Sequence, residues 1–331
     1  MAVAGDGIPS TQRRRLGRSG LFVSEIGFGA WGIGGTWWGG RDDVSSLTAL
    51  SKAFDLGINF IDTAHVYGDG HSERLIAKAL KGRGETIHIA TKIPPKNNRW
   101  PARPGIPLKE AYPFDHVKKC TEQSLKNLGR DKIDVQQFHV WNPEWVEDDE
   151  WRESVHWLKC TGKARFVGIS ANDHLPDTVI SALSTGDIDT IQVIYNIFDQ
   201  SPKEQLFGVC QRLDIGVIAR VPFDEGGLTG TITPDTTFPP TDMRSRYFSG
   251  DRKKALWDRV QALRQDLGES EPLPQTALRF CISHPAVSTV IPGMRKVCHV
   301  EQNLLASAAG PLPPETLDLL RRHQWKRSFY D

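Results

Sequence analysis

Short apolar runs alternate with helical stretches along most of this chain, and that alternation leaves few folds open. The runs begin at Gly27, Asn59, Thr86, Asp134, Arg165, Asp189, Ile215 and Val287. Most starts lie about 24 to 32 residues apart, the length of one βα unit in a parallel sheet. Units of this kind predict an α/β chain folded as a (β/α)8 TIM barrel, not a doubly wound sheet with a second domain. The 331 residues show no internal repeat beyond the βα unit and no low-complexity tract. The whole chain, 1–331, therefore reads as one domain, with the barrel proper at about 25–308.

Local signals set the helix limits. Asp42 or Asp43 caps a helix bearing Leu47, Leu50 and Phe54, which Gly57 ends; Ser72 starts another that runs to Gly82. Asp115 and Gly129 bound a third, Trp145 to Cys160 reads as a fourth, Lys203 to Arg212 holds a fifth, and an extra helix starts at Asp251. Arg15 to Ser24 predicts a β-hairpin ahead of the barrel. Arg13, Arg14 and Arg15 read as solvated charges. Two insertions follow strands, a Pro-rich one from Pro94 to Pro113 and another from Pro222 to Gly250, and on the catalytic face such loops shape specificity.

Composition narrows the partners. With 41 basic and 40 acidic side chains the formal charge is +1, which offers no footprint for nucleic acid or an anionic membrane. A small molecule is the expected partner, and the oligomeric state is not legible. Cys120, Cys160, Cys210, Cys281 and Cys298 are scattered without a Cys-x-x-Cys pair, so neither a disulfide framework nor a metal site is expected. Met1 to Ser10 lacks the apolar core of a leader peptide, and no run approaches the roughly 20 apolar residues of a membrane span. A cytoplasmic enzyme is the expectation.

The chemistry concentrates at strand ends. Asn59-Phe60-Ile61-Asp62-Thr63-Ala64 runs a buried-strand pattern into an ionisable residue, and a carboxylate there needs a cation or donors to answer it. Tyr67 follows just beyond, before the turn Gly68-Asp69-Gly70. Lys92 and His139 occupy the ends of the third and fourth strands. Alone, each has an ordinary reading as a solvated or packed residue; together they converge, because barrel strand ends converge. Gly27-Phe28-Gly29-Ala30-Trp31-Gly32 formally matches a dinucleotide fingerprint. The chain continues Ile33-Gly34-Gly35 and cannot open the helix that motif requires, so a first strand with a glycine-rich loop is expected instead.

Gly57-Ile58-Asn59-Phe60-Ile61-Asp62-Thr63-Ala64, with Tyr67-Gly68 and Ser72-Glu73, resembles the aldo-keto reductase superfamily signature. The resemblance implies an eight-stranded barrel that binds NADP(H), with NAD(H) as the alternative, and reduces carbonyls. It implies a catalytic tetrad of Asp62, Tyr67, Lys92 and His139. An ammonium beside a phenol favours phenolate, so Lys92 is expected to lower the Tyr67 pKa.

The same resemblance supplies cofactor residues: Ser170, Asn172 and Gln192 around the carboxamide, and Arg220 where many members carry an aromatic residue against nicotinamide. Pro222, Gly227 and Leu228 fall in a loop that covers the pyrophosphate. Gly293, Arg295, Lys296, His299, Gln302 and Asn303 fall at the adenosine site, where Arg295 and Lys296 imply a 2′-phosphate. Trp31, Trp37, His65, Trp100, Trp141 and Phe248 are the candidate pocket for an aldehyde, a ketone or a sugar. Two rivals share the fold: a regulatory protein that binds cofactor with little turnover, and a dehydrogenase acting on sugars or alcohols.

Overall fold

The computed structural model describes residues 11–35, 37–83, 86–268 and 271–330; the leader argument on Met1 to Ser10 lies outside the described residues. The expected strands are β1 (Phe28–Gly29), β2 (Phe60–Asp62), β3 (His88–Ile93), β4 (Ile133–Phe138), β5 (Ala164–Ser170), β6 (Thr190–Ile194), β7 (Gly216–Arg220) and β8 (Val287–Val290). They pair in sequence order as one eight-stranded parallel sheet. Parallel bridges from Ile26 to Val290 and from Gly29 to Gly293 join the first strand to the last, so the sheet curls round on itself. This is the (β/α)8 arrangement.

The glycines of the rejected fingerprint serve close packing. A Cβ on Gly29 would lie 2.5 Å from the Ile291 carbonyl oxygen, and one on Gly34 would lie 2.8 Å from the Tyr67 backbone carbon. Larger residues would push the first strand and its loop off the strand ends beside them.

Most helices follow the local signals. Asp42 caps the helix Asp43–Asp55 by accepting from the Ser45 amide at 3.0 Å, and Gly57 follows with φ 90°. Several limits differ from expectation; the helix expected from Ser72 to Gly82 runs from His71 to Leu80, after Gly70 with φ 73°. Asp115 lies inside the first turn of Phe114–Leu128, which Pro113 precedes, because a proline just before the helix presets its entry without a side-chain acceptor. The stretch from Trp145 to Cys160 is not continuous. A 3-10 turn, Pro143–Glu147, is followed by a helix, Asp149–Cys160, that begins afresh where Asp148 accepts from the Glu150 amide at 2.9 Å. No helix among the described residues is long and apolar enough to cross a membrane.

The hairpin pairs Arg13–Arg15 with Phe22–Ser24 and drives Leu16, Leu21 and Val23 against Phe60, Ala90, Val135 and Ile218. Those four residues face the lumen, so the hairpin closes the barrel from beneath. The arginines are not simply solvated: Arg14 Nε bonds buried Glu25 at 2.8 Å, and Arg15 grips Asp214 at 2.6 and 2.8 Å. Leu16 is fully buried. Leu16→Ala should cost about 2–5 kcal/mol of unfolding free energy, because a filled lumen cannot collapse around a deletion. Urea denaturation checks this, and an unchanged midpoint would show that the hairpin does not pack as a plug.

Candidate active site

Along each strand alternate residues face the lumen. Phe60, Ala90 and Val135 make its apolar floor; two residues further on, the same faces carry Asp62, Lys92 and Gln137. Lys92 is fully buried and donates three hydrogen bonds from Nζ: to Asp62 Oδ2 at 2.6 Å, to the Thr63 carbonyl at 2.8 Å and to Tyr67 Oη at 3.2 Å. The second Asp62 oxygen accepts from Gln192 at 2.6 Å and from Gln137 at 3.3 Å. The buried carboxylate thus has a cation and two amide donors.

The charges act as this geometry dictates, with one correction. Burial would depress the Lys92 ammonium, but Asp62 and the Tyr67 oxygen outweigh it and hold Lys92 above the usual lysine range. Tyr67 was expected below its ordinary pKa. It stands above it, because burial outweighs the lowering by Lys92, whose charge Asp62 already answers. His139 is held well below its ordinary value by burial, by Lys92 and by Arg220, so its ring is neutral near pH 7. The arrangement offers a protonated phenol and a neutral imidazole side by side, their rings 6.1 Å apart.

Aromatic rings surround this pair. Trp31 stacks on Tyr67 at 6.1 Å, Trp100 meets His139 edge-on at 4.6 Å, and Trp37 and Trp100 are among the exposed large apolar residues. Two expected pocket residues lie elsewhere. Trp141 is fully buried among Phe138, Trp145 and Trp151, and Phe248 is buried against Tyr247 and Phe238; both are core packing. The His65 ring lies against Glu73 and Asp69, 3.8 Å from each. Glu73 is itself buried, and it raises the His65 pKa.

The remaining expected residues fall into two groups. Ser170 and Gln192 stand in register on β5 and β6. The Asn172 amide is taken up by backbone: its nitrogen donates to Trp141 and Ala102 at 2.8 and 3.2 Å, and its oxygen accepts from Ala102 and Trp141 at 3.3 and 3.4 Å. These contacts make Asn172 a cross-link between loops. Arg220 ends β7 and donates to Asp173 at 2.6 Å and to the Ala171 carbonyl at 3.0 Å.

Beyond β8, Arg295 and Lys296 directly precede the helix Val297–Ala309. Arg295 is half-buried and donates to the Trp38 carbonyl at 2.5 Å, while Lys296, Gly293 and Gln302 are exposed. His299 is half-buried and kept below its ordinary pKa by burial and by the neighbouring Lys296 and Arg295. Asn303 keeps a buried side-chain nitrogen without a partner. Pro222, Gly227 and Leu228 are buried in the loop after β7. Within it burial raises the Glu225 carboxyl to about 7, opposed by a hydrogen bond from Tyr330.

Sequence reasoning missed several neighbours. Gln137 was findable, since it lies two residues before His139 and faces the same way. Asp173, Arg244, Arg327 and Tyr330 carried no such signal, because loop and tail contacts follow no period. Arg244 stacks on Trp38 and Phe238, 4.7 Å from each ring. Replacing Lys92 by Met would leave Asp62 buried without a cation. The variant should lose about 3–5 kcal/mol of stability, read as a fall in melting temperature; wild-type melting would show that Asp62 needs no cation.

A family model described as the aldo/keto reductase family matches residues 25–324. The aldo-keto reductase YhdN of Bacillus subtilis is 30% identical over 296 residues, covering 86% of this chain and 85% of that one. The NADH-specific methylglyoxal reductase of Escherichia coli is 28% identical over 309 residues, 88% and 92% of the two chains. Among solved structures, the holo form of aldo-keto reductase AKR11C1 from Bacillus halodurans superposes with a TM-score of 0.77 at 28% identity, covering 97% of this chain and all of that one. The barrel, the strand-end cluster and the match along nearly the whole length agree: the chain belongs to the aldo/keto reductase family.

Proposed function

We propose that the protein is an NADP(H)-dependent oxidoreductase that moves a hydride between nicotinamide and a carbonyl or alcohol carbon, with Tyr67 as the proton donor. The observation that carries this reading is the Lys92 ammonium bonded at once to Asp62 and to the Tyr67 hydroxyl, 2.6 and 3.2 Å away. A bound nicotinamide dinucleotide supplies the hydride.

The fit to such a cofactor rests on the chain's own groups. Arg295 and Lys296 stand before a helix N-terminus, where backbone amides and the dipole favour an anion. Asn303 holds an unpartnered buried nitrogen in that helix, and nothing lies within 4 Å of a Cβ built on Gly293. Ser170, Gln192 and Arg220 line the strand ends beside the catalytic group.

The protein's share of the chemistry follows from the charges. Tyr67 stays protonated near pH 7 and delivers its proton to the substrate oxygen as charge develops there. Lys92 then stabilises the phenolate left behind, an effect largest when the proton leaves. Neutral His139 offers one ring N–H to the same oxygen and fixes its position. Trp31 and Trp100 bound the opening with flat apolar faces, suited to an aldehyde, a ketone or a sugar ring.

Tyr67→Phe keeps the ring and removes the proton. Acid catalysis is worth on the order of 10²–10⁴ in rate, so kcat should fall by that factor while cofactor affinity holds. Single-turnover kinetics with NADPH and a panel of carbonyls measures it, and a kcat near wild type would remove Tyr67 from the role.

The NADH specificity of the Escherichia coli relative supports a second reading for the cofactor, NAD(H). Arg295 discriminates the two. A charge-assisted contact is worth about 1.5–3 kcal/mol, so Arg295→Ala should weaken NADPH about ten- to a hundredfold and leave NADH nearly unchanged. Titration by tryptophan fluorescence tests this; equal losses for both cofactors, or none, would show that Arg295 does not read a 2′-phosphate.

A further inference from the structure

Tyr67 lies between the end of β2 and the helix His71–Leu80. Its backbone enters that helix through Gly68, Asp69 and Gly70, with φ of 69°, 53° and 73°. A glycine-rich turn is conformationally permissive, so the place of Tyr67 depends on how its flanks are tied. One tie is Ser72, whose amide donates to the Tyr67 carbonyl at 3.1 Å. Its hydroxyl accepts from Thr63 Oγ1 and donates to the Ala30 carbonyl, both at 2.9 Å. The other tie is Glu73. Its fully buried carboxylate accepts from Thr91 Oγ1 at 2.7 Å, one residue before Lys92 on β3, and from Asn127 Nδ2 at 2.8 Å.

A carboxylate so placed needs a cation as well as donors, and the cationic group that reaches it is His65, two residues before Tyr67. His65 Nδ1 lies 3.8 Å from Glu73 Oε2, and Nε2 lies 3.8 Å from Asp69 Oδ1. Nδ1 is buried without a hydrogen-bond partner. At that separation a neutral ring gains no hydrogen bond, whereas an imidazolium brings both an N–H and the opposite charge to Glu73. The ring also belongs to the turn it would steady: the His65 carbonyl accepts from the Gly70 amide at 2.7 Å, and the Ala64 carbonyl from the Tyr67 amide at 3.0 Å.

We infer that His65, in its protonated form, is the counter-ion of Glu73 and a positioning residue for Tyr67, fastening the loop after β2 to the helix His71–Leu80 and to β3. The role rests on the proposed reading of Tyr67 as proton donor. The surrounding charges agree with it. Glu73 raises the His65 pKa above its ordinary value and Asp69 adds to this, against burial and Arg74. Burial would raise the Glu73 carboxyl, but His65, Asn127, Thr91 and Ser124 hold it below its ordinary value. On the facing helix, Phe114–Leu128, burial keeps His116 below its ordinary value and pushes the Cys120 thiol up to about 11, so both are neutral near pH 7. The pairing is therefore complete below the ordinary histidine value and is lost as pH rises through the raised His65 value.

The test follows the single-turnover rate at saturating NADPH, with the fastest carbonyl of the panel used for Tyr67→Phe, from about pH 6 to about pH 9. It compares full-length wild type with His65→Gln, whose side chain does not titrate, and with Asp69→Asn. Wild type should exceed His65→Gln on the order of tenfold at the acid end, the effect of one charge-assisted contact, and the ratio should fall towards one at the alkaline end. Taking the ratio cancels ionisations common to both proteins, that of Glu225 near 7 included. Asp69 has an exposed side chain, and asparagine tolerates the same left-handed backbone. Asp69→Asn takes one acid from His65, so it should keep the wild-type rate at the acid end and move the alkaline fall to lower pH. NADPH affinity should match wild type in both variants. A ratio that stays constant with pH, at one or at any other value, would overturn the role of the charged His65. If His65→Gln does not fold, an Asp69→Asn profile that superposes on wild type decides against it equally. A flat ratio beside an inactive Tyr67→Phe would strike the His65 role alone, whereas a wild-type rate in Tyr67→Phe would remove the proton-donor reading and the positioning role with it.

Discussion

A lysine ammonium and an aspartate carboxylate 2.6 Å apart, both buried at the strand ends, set the terms for the rest of this structure. Neither charge could stay inside the barrel alone, because desolvating a single ion costs several kcal/mol. Each therefore depends on the other and on donors brought by different strands. Gln137 from β4 and Gln192 from β6 complete the carboxylate, and the Thr63 carbonyl completes the ammonium. Four strands are thereby tied at their C-terminal ends, and any shift of register would break the set.

The apolar layer beneath makes this arrangement affordable. Leu16, Phe60, Ala90, Val135 and Ile218 fill the lumen from below, which keeps water from reaching the pair through the barrel and strengthens it. The environment that strengthens the pair also raises the Tyr67 pKa above its ordinary value. The Tyr67 hydroxyl therefore keeps its proton near neutral pH, and burial, not Lys92, decides the direction.

Above the strand ends, the loops are joined to one another as much as to the barrel. Arg295 reaches from the β8 connection to the Trp38 carbonyl, Arg244 stacks on Trp38 from the β7 insertion, and Met243 donates to the Trp37 carbonyl at 2.9 Å. The tail adds Arg327 and Tyr330 to the same face. A rigid ring with its chemistry at one end thus carries a cover built from distant segments, which divides positioning from access.

The βα rhythm, the eight strands and the convergence of Asp62, Tyr67, Lys92 and His139 were legible from residues alone, because strand alternation and barrel closure are local and periodic rules. The same alternation points to Gln137. Three matters were decided only in the tertiary structure. Trp141 and Phe248 went to the core, since an aromatic residue carries no mark of which neighbours will cover it. Asn172 became a loop cross-link because Ala102 and Trp141, 70 and 31 residues away in the chain, offered backbone partners. The grip of Arg327 and Tyr330 on Asp224 and Glu225 spans more than 100 residues. Spacing predicts what repeats along a strand or a helix; which loop meets which is set by where the closed ring places their ends.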